Sequence, residues 1–338
     1  MKLNKKPAKR LLTWALLASM SLALLGCSEE EEPTIATWEK IPVEEPAEAA
    51  EEAAGEEAPA EEQTEEPTEE APAEEEAEQP MEVPEGTYIS ELTGLPISES
   101  IRSQRPIAIM IDNDSRALPH YELGEADVVY ELMNSTANNR ITRLMAVRKD
   151  WGSINMMGSI RSTRPTNILL CAEWNAVLCH DGGPFYNDAY FNTSWSPAHF
   201  SGTFGRVSNG KATEFTEYCL SGDLNKNFSN TGTSRDYTAN PGDHFKFAAY
   251  GTSVDLGPDA LPGTSISLPF YNTSSKLRYN EGTGTYDYIE FGDVAKDGED
   301  GQVVSFKNVL IQDCTFTQYD ANGYMIYNCI ACSSRVST

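Results

Sequence analysis

Hydrophobic and polar positions divide the chain into three stretches of very different character. A predominantly apolar run, LLTWALLASMSLALL, occupies residues 11–25. Residues 28–85 carry few branched or aromatic side chains, so they cannot bury enough apolar surface to offset the entropy of folding. From residue 86 onward, apolar and aromatic residues recur in short segments. This last stretch is long enough for one large folded domain or two modest ones.

Strand-like and helix-like segments alternate through residues 86–255. Strands are predicted at PIAIMIDN (106–113), ADVVYELMN (126–134), ITRLMAVRKD (141–150), SINMMGSIRS (153–162) and AVLCHDGG (176–183). Helices are predicted at TRPTNILLCAEW (163–174), with Ile168, Leu169 and Ala172 on one face, at PFYNDAYFN (184–192) and at KATEFTEYCL (211–220). Such alternation favours an α/β N-terminal domain.

The pattern becomes β-rich in residues 256–338. Short segments with alternating, aromatic-rich sequences are ISLPFY (266–271), KLRYN (276–280), TYDYIEF (285–291), VVSFKNVLIQDCTFTQYD (303–320) and YMIYNCIA (324–331). Turns are expected at Asn280-Glu281-Gly282, Asp297-Gly298 and Asn322-Gly323. These residues predict a mainly antiparallel β C-terminal subdomain.

The amino terminus has the features of an export signal. Five basic residues and no acidic one precede the apolar run, which at 15 residues is shorter than the about 20 that a membrane span needs. LLGC (24–27) resembles the bacterial lipobox, which implies cleavage before Cys27 and acylation of its thiol. We expect a lipoprotein signal peptide over residues 1–26 and a lipid anchor on the extracytoplasmic face of the cell membrane. An ordinary secretory signal or an uncleaved anchor is the alternative.

Charge separates the next stretch from the rest of the chain. Residues 28–85 hold 24 Glu and one Lys, and so account for −23 of the total net charge of −27. Like charges and frequent prolines predict that residues 27–85 form a disordered linker, a stalk that holds the folded part away from the membrane. A cation-binding or wall-binding arm is the alternative. This acidity argues against a nucleic-acid partner.

The best candidate for a binding site is the transition from strand to helix at Arg161, Ser162, Thr163, Arg164 and Pro165. Ser162 or Thr163 is expected to cap the helix, and proline suits its first turn. Two guanidinium groups beside free helix N–H groups favour an anion. Arg140 and Arg143 join this group if their strand is adjacent. Alternatively, these arginines form structural ion pairs with Asp112, Asp127 or Glu131.

Polar residues end two of the predicted strands, Asp112 and Asn113 on one, His180 and Asp181 on the other. Ligands of α/β sheets collect at the carboxyl ends of strands, so these residues are expected near the arginines. A hydrolase would use Asp112 or Asp181 as the general base and Glu131 as the second carboxylate. Ordinary turn residues are the simpler interpretation.

Sequence motifs for metal or cofactor binding are absent from the chain. His120, His199 and His244 are isolated, and no phosphate loop, dinucleotide fingerprint, GxSxG or HExxH occurs, so neither a metal nor a cofactor is expected. Of the cysteines after Cys27, Cys171 and Cys179 look like core residues, and Cys219 and Cys314 are left open. Cys329 and Cys332 form a C-x-x-C, interpreted as a disulfide, free thiols or a redox pair.

Several stretches resemble the YerB-like lipoprotein family, which is built on a domain of unknown function. They are LTGLPI (92–97), RPIAIMIDN (105–113), LGEADVVYE (123–131), ITRLMAV (141–147), GSIRSTRP (158–165), DGG (181–183), residues 270–288 and FKNVLIQ (306–312). The resemblance implies an extracytoplasmic lipoprotein with an α/β domain followed by a β domain, and no established reaction. The family's central Arg followed by Pro-His-Asn survives here only as Arg206. The chain also stops earlier than the family's C-terminal domain, which predicts a truncated end.

These observations leave three hypotheses of function. The first is a non-catalytic lipoprotein that binds an anionic envelope ligand or a partner protein. The second is an envelope hydrolase acting on a glycan or a phosphate-linked polymer. The third is a structural scaffold that binds nothing.

Overall fold

A computed structural model describes residues 79–254, 256–258, 260–328 and 334–337. The predicted signal peptide, the lipidated Cys27, nearly all of the linker, the pair Cys329 and Cys332, and the chain end lie outside the described residues. None of the helices in the described ranges has both the length and the hydrophobicity required to cross a bilayer.

Nineteen strands and three α-helices are defined in the described residues. The strands are β1 (Thr87–Ile89), β2 (Pro96–Ser98), β3 (Ile107–Asp112), β4 (Val128–Met133), β5 (Thr142–Arg148), β6 (Met156–Gly158), β7 (Val177–His180), β8 (His199–Ser201), β9 (Gly205–Arg206), β10 (Glu217–Leu220), β11 (Ser265–Ser267), β12 (Lys276–Asn280), β13 (Thr285–Glu290), β14 (Asp293–Val294), β15 (Ser305–Phe306), β16 (Val309–Gln312), β17 (Thr315–Gln318), β18 (Met325–Asn328) and β19 (Ser334–Ser337). The helices are α1 (Pro165–Glu173), α2 (Asn187–Phe191) and α3 (Asp223–Thr231).

A mixed five-stranded sheet in the order β4-β5-β3-β7-β8 organises the N-terminal half. Strand β3 lies at its centre, antiparallel to β5 and parallel to β7. All six residues of β3 are buried, which explains why its sequence is a continuous apolar run rather than an alternating one. The parallel pairing places the carboxyl ends of β3 and β7 at the same edge of the sheet.

Each face of this sheet supports a separate hydrophobic cluster. On one face Met110 and Met145 pack with Ile168, Cys171 and Trp174 of the α1 region. The buried stripe of α1 thus runs through residues 168, 171 and 174, whereas the predicted Leu169 and Ala172 are only half-buried. The helix is rotated from the predicted face because its contacts with the sheet, not its composition, decide which side is covered.

The opposite face of the sheet packs against the C-terminal half. Ile109, Ile111 and Leu144 join Tyr286 and Tyr288 of β13 in one cluster. Strands β11 to β14 form an antiparallel sheet, and β12 and β13 pair along their whole length. The prediction of antiparallel sheets in the C-terminal region is therefore confirmed. The predicted turn at Asn322-Gly323 joins β17 to β18, and Gly323 has a φ of +76°.

The described chain is mostly β with few helices, so the α/β expectation for the N-terminal half holds only in part. The helix predicted at residues 211–220 is wrong. Residues 213–215 form a single 3-10 turn, and β10 follows, paired with β6 and β9. Its residues Glu217, Tyr218 and Cys219 are all buried, so strand pairing outweighs the helical propensity of this segment.

Candidate functional site

Backbone hydrogen bonds insert residues 159–164 between the ends of β3 and β7. The Arg161 N–H donates to the Met110 carbonyl at 3.0 Å, and the Asp181 N–H donates to the Arg161 carbonyl at 3.0 Å. The segment therefore continues the sheet at the point where the two parallel strands stop. As a result, Asp112 at the end of β3, Arg161 and Asp181 lie along one edge of the sheet.

Two arginines, Arg143 and Arg161, contact one buried carboxylate at this edge, and a third, Arg164, lines the same cavity as Arg143. We name these three arginines and Asp112 the arginine site. Arg161 Nε lies 2.7 Å from Asp112 Oδ2, and Arg143 Nη2 lies 3.9 Å from Asp112 Oδ1. Arg161 also contacts Glu214, which is exposed, at 3.0 Å. Arg143 and Arg164 are 5% and 6% exposed. The buried part of the site therefore carries more positive than negative charge.

Several polar atoms of the arginine site lack a partner. Arg143 Nε and Nη1 and Arg164 Nε are buried without a hydrogen-bond acceptor among the described residues. Arg143 and Arg164 face a cavity of about 10 Å³, room for about one water molecule. The cavity is also lined by Asn134 and Asn167, each with an unpartnered buried amide atom. An uncompensated buried N–H group is costly. Both carboxylate oxygens of the adjacent Asp112 are likewise buried without a hydrogen bond among the described residues.

Burial also changes the protonation equilibria of these arginines. The pKa of Arg143 is lowered to about 10, mainly by loss of hydration; Asp112 opposes this shift, and the neighbouring charges of Arg164 and Arg161 add to it. Burial likewise lowers the pKa of Arg164. Both remain cationic near neutral pH, so the fold accepts two positive charges in a region of poor solvation.

The start of α1 differs from the predicted cap. Arg164 occupies the N-cap position with no side-chain cap hydrogen bond, and Pro165 begins the helix. Arg164 Nη1 donates instead to Ser162 Oγ at 3.2 Å and to the Thr163 carbonyl at 2.7 Å. Ser162 and Thr163 therefore accept hydrogen bonds from Arg164 instead of capping the helix.

The hairpin of β17 and β18 covers the arginine site. The Arg164 guanidinium carbon lies 4.0 Å from the centre of the Tyr324 ring, and Met325 and Tyr327 line the cavity. The Tyr327 N–H donates to Thr166 Oγ1 at 3.0 Å, in the first turn of α1. The helix N-terminus is thus closed by protein in this conformation.

Glu131 and Asn113 belong to a different environment, which we name the Glu131 network. Glu131 Oε1 accepts hydrogen bonds from Asn113 Nδ2, Thr142 Oγ1, Thr273 Oγ1 and Ser275 Oγ at 2.8–3.2 Å, and Oε2 accepts one from the Tyr288 hydroxyl at 3.1 Å. Burial raises the pKa of Glu131, while these donors lower it. The carboxylate joins the central sheet to the C-terminal half.

Both ring nitrogens of His180 are hydrogen-bonded within the protein. Its Nδ1–H donates to the Gly182 carbonyl at 2.8 Å, which leaves Nε2 to accept from His199 Nδ1 at 3.1 Å. Gly182 has a φ of +71°, a conformation that glycine adopts without strain. Burial lowers the pKa of His180 to about 4. The ring is neutral near pH 7 and orients the turn that carries Asp181.

Asp181 lies in a carboxyl pair that the sequence did not reveal. Arg206 Nη2 contacts Glu217 Oε2 at 2.7 Å and Asp181 Oδ2 at 3.3 Å, so one guanidinium bridges both carboxyl groups. Glu217 is buried, and its burial together with the Asp181 carboxyl raises the pKa of Glu217 to about 7. Arg206 was visible as a retained family residue, but Glu217 was hidden in the segment predicted as a helix.

Other predicted residues remain outside these groups. Arg140 is exposed, and Asp127 accepts a hydrogen bond from the Lys149 backbone N–H instead of pairing with an arginine of the site. Within the described ranges, no cluster of three or more His, Cys, Asp or Glu residues is arranged to hold a metal ion. Cys171, Cys179 and Cys219 are buried free thiols, and Cys314 is disulfide-bonded.

Comparison with known proteins finds similarity to one family and to one of its named relatives. Residues 92–236 match the family described as "Protein of unknown function (DUF3048) N-terminal domain". The Bacillus subtilis (strain 168) protein named "Putative lipoprotein YerB" is 26% identical over 256 residues, 69% of each chain. The crystal structure of the YerB protein from Bacillus subtilis has the same fold, with a TM-score of 0.57 at 18% identity over 71% of this chain and 80% of that one.

The chain is YerB-like. The resemblance predicted from GSIRSTRP and its neighbouring stretches is confirmed. Residues 92–236 of the YerB-like chain contain the whole arginine site and the carboxyl pair. The hairpin that covers the arginine site lies beyond them.

Proposed function

We propose that this YerB-like protein is a lipid-anchored extracytoplasmic lipoprotein that binds an anionic group of an envelope ligand at the arginine site. The observation that carries the proposal is the set of buried, unpartnered N–H groups on Arg143 and Arg164. The sequence LLGC at residues 24–27 supports the anchor, as does the similarity to a protein named as a lipoprotein.

Charge balance favours Arg143 and Arg164 over the exposed arginines as the ligand contacts. Arg161 and Arg206 already contact carboxylates, whereas Arg143 has only a distant contact of 3.9 Å with Asp112. A ligand carboxylate or phosphate would accept from the free donors and offset the buried charge. The cavity is small in this conformation, so binding requires the side chains that cover it, Tyr324 and Tyr327, to move aside.

Thermal stability measures this binding directly. A ligand that binds only the native state raises the free energy of unfolding by about 2.7 kcal/mol at one hundred times its Kd. We expect phosphate, sugar phosphates or muropeptides to raise the melting temperature of the full-length protein in detergent. An Arg143→Met, Arg164→Met double variant should lose the shift, and Arg140→Gln, which changes an exposed arginine, should retain it. Equal shifts in all three proteins would refute the arginine site.

A second candidate function is hydrolysis at the carboxyl pair. The observation that favours it is the pKa of Glu217, raised to about 7 beside Asp181 and Arg206, because a general acid needs a pKa near the working pH. Asp181 is 41% exposed at its side chain and Glu217 is buried, so one group faces solvent while the other holds the proton. Hydrolysis of envelope glycans that persists unchanged in a Glu217→Gln variant would exclude this function.

A further inference from the structure

Aromatic side chains form a partly exposed surface beside the arginine site. Phe185, Tyr186, Tyr190 and Trp195 lie in and around α2, and Tyr319 follows β17; we name these five the aromatic surface. Tyr186 and Tyr319 stack with ring centres 4.5 Å apart and planes 15° apart. Phe185 is 84% exposed, Trp195 46% and Tyr319 40%. Exposed aromatic rings that cluster in this way usually mark a binding surface.

The aromatic surface and the arginine site share a boundary. The Tyr319 N–H donates to the Tyr324 carbonyl at 2.7 Å, and the Tyr324 ring covers the Arg164 guanidinium at 4.0 Å. The Tyr186 hydroxyl is buried without a hydrogen-bond partner among the described residues. A ligand resting on the rings would therefore meet one unpartnered hydroxyl and one unpartnered guanidinium N–H at the inner end of the surface.

One acidic residue, Asp320, lies near this boundary, and its charge raises the pKa of Arg164 against the effect of burial. Asp320 follows the aromatic Tyr319, but its Oδ1 accepts from the backbone N–H groups of Asn322 and Tyr324 at 3.0 and 3.3 Å. Its second oxygen accepts from Asn322 Nδ2 at 3.2 Å. Asp320 thus closes the hairpin turn and makes no ion pair with Arg164 among the described residues.

We propose that the aromatic surface and Arg164 together bind a pyranose sugar that carries an anionic substituent. The C–H face of a pyranose ring packs against aromatic faces, and ring hydroxyls pair with tyrosine hydroxyls. The anionic substituent reaches the free donors of the arginine site, so one ligand satisfies both features. This inference rests on the proposed anion binding and specifies its ligand class. Pockets that combine aromatic walls with a few placed polar groups suit such ligands.

Calorimetry with charge-matched sugars tests the inference on the full-length protein in detergent. The ligands are trigalacturonate, its uncharged methyl ester, glucose 6-phosphate and inorganic phosphate. We expect either anionic sugar to bind at least about ten-fold more tightly than inorganic phosphate, and trigalacturonate to bind about ten-fold more tightly than its methyl ester. The better of the two anionic sugars identifies a carboxylate or a phosphate as the natural substituent.

Variants of the exposed rings separate this inference from the proposed function. Phe185→Ala and Trp195→Ala should weaken anionic sugars about five- to ten-fold and leave inorganic phosphate unchanged, whereas Tyr271→Ala, which removes a ring 73% exposed elsewhere, should change neither. Two results would overturn the sugar class and leave anion binding standing. One is an affinity for the anionic sugars no higher than that for inorganic phosphate. The other is an affinity for the anionic sugars that neither Phe185→Ala nor Trp195→Ala changes. If none of the four ligands binds, both proposals are overturned. If a protein partner covers the aromatic surface and the sugars still bind with unchanged affinity, the sugar class is overturned.

Discussion

Two charged groups, Glu131 on β4 and Arg143 on β5, lie on opposite faces of the central sheet and differ in how fully their hydrogen-bonding capacity is met. Thr142 and Arg143 are consecutive on β5, so their side chains point to opposite faces of the sheet. On one face Thr142 joins four other donors around the Glu131 carboxylate. On the other face Arg143 has a single carboxylate contact at 3.9 Å and two free N–H groups.

The difference separates a buried polar group whose hydrogen bonds are complete from one whose hydrogen bonds are incomplete. A buried charge whose hydrogen-bonding capacity is met rigidifies the fold, whereas an unmet one costs stability and persists only for another reason. The Glu131 network holds the two halves of the described chain together. In the arginine site the hydrogen-bonding capacity is only partly met among the described residues, and the proposed anion binding depends on that feature.

The largest effect on stability is expected from removing the Glu131 carboxylate, which is the acceptor at the centre of the Glu131 network. Glu131→Ala leaves several buried donors without an acceptor, so the free energy of unfolding should fall by about 3 kcal/mol or more. Urea denaturation followed by tryptophan fluorescence measures the change. Glu173→Ala, at an exposed helical position, should stay within about 0.5 kcal/mol of wild type. A comparable small loss in Glu131→Ala would remove the contrast between the two faces.

Substituting Arg143, on the other face of the sheet, is expected to change the free energy of unfolding in the opposite direction. Arg143→Met replaces an incompletely paired buried cation with an apolar side chain of similar length, while Asp112 keeps its contact with Arg161 at 2.7 Å. The free energy of unfolding should be unchanged or rise by about 1 kcal/mol. Denaturation in the absence of added anions is the measurement. A loss as large as that of Glu131→Ala would make Arg143 a structural residue.

A pH-dependent effect of intermediate size is expected at Glu217. Its pKa is raised from 4.5 to about 7 in the folded protein, so between these values the folded state binds more protons than the unfolded state. The contribution of Glu217 therefore stabilises the fold at low pH and is lost as the pH rises through this window. Glu217→Gln should become more stable relative to wild type as the pH rises from 4.5 to 7.

Melting temperatures of the two proteins at each pH provide this comparison. His180 acts in the opposite direction over part of the same range, because its pKa is lowered to about 4 and its neutral form is favoured by folding. The difference between variant and wild type cancels that contribution. A difference that does not vary with pH would show that Glu217 titrates normally.

The smallest effect is expected at the exposed end of the arginine site. Arg161 and Glu214 are in contact at 3.0 Å, with side chains 28% and 43% exposed. Glu214→Gln should therefore lower the free energy of unfolding by less than about 1 kcal/mol, and less still at high salt. Anion affinity should rise slightly, because a competing carboxylate charge is removed. A large loss of stability would instead show that the Arg161–Glu214 ion pair stabilises the fold.

Sequence patterns by themselves determined the elements whose signals are local. The continuous apolar run of β3, the strand β5, the helix after Arg164 and the Asn322-Gly323 turn follow from hydrophobic pattern and turn chemistry, and all four are present. The YerB-like resemblance was likewise carried by contiguous motifs. These features depend on neighbours within a few residues.

Only the tertiary structure decided which charges meet and which remain unsatisfied. Glu217 joins Asp181 because β10 pairs in a sheet instead of forming the predicted helix, and Glu131 meets Thr273 and Ser275 across more than one hundred residues of chain. The β17–β18 hairpin covers Arg164 from a similar separation. Such contacts depend on strand pairing and on the packing of distant segments, which local pattern does not encode. The sequence thus suggested that Asp112 and the arginines lie together, while the fold placed the Glu131 carboxylate in a separate network.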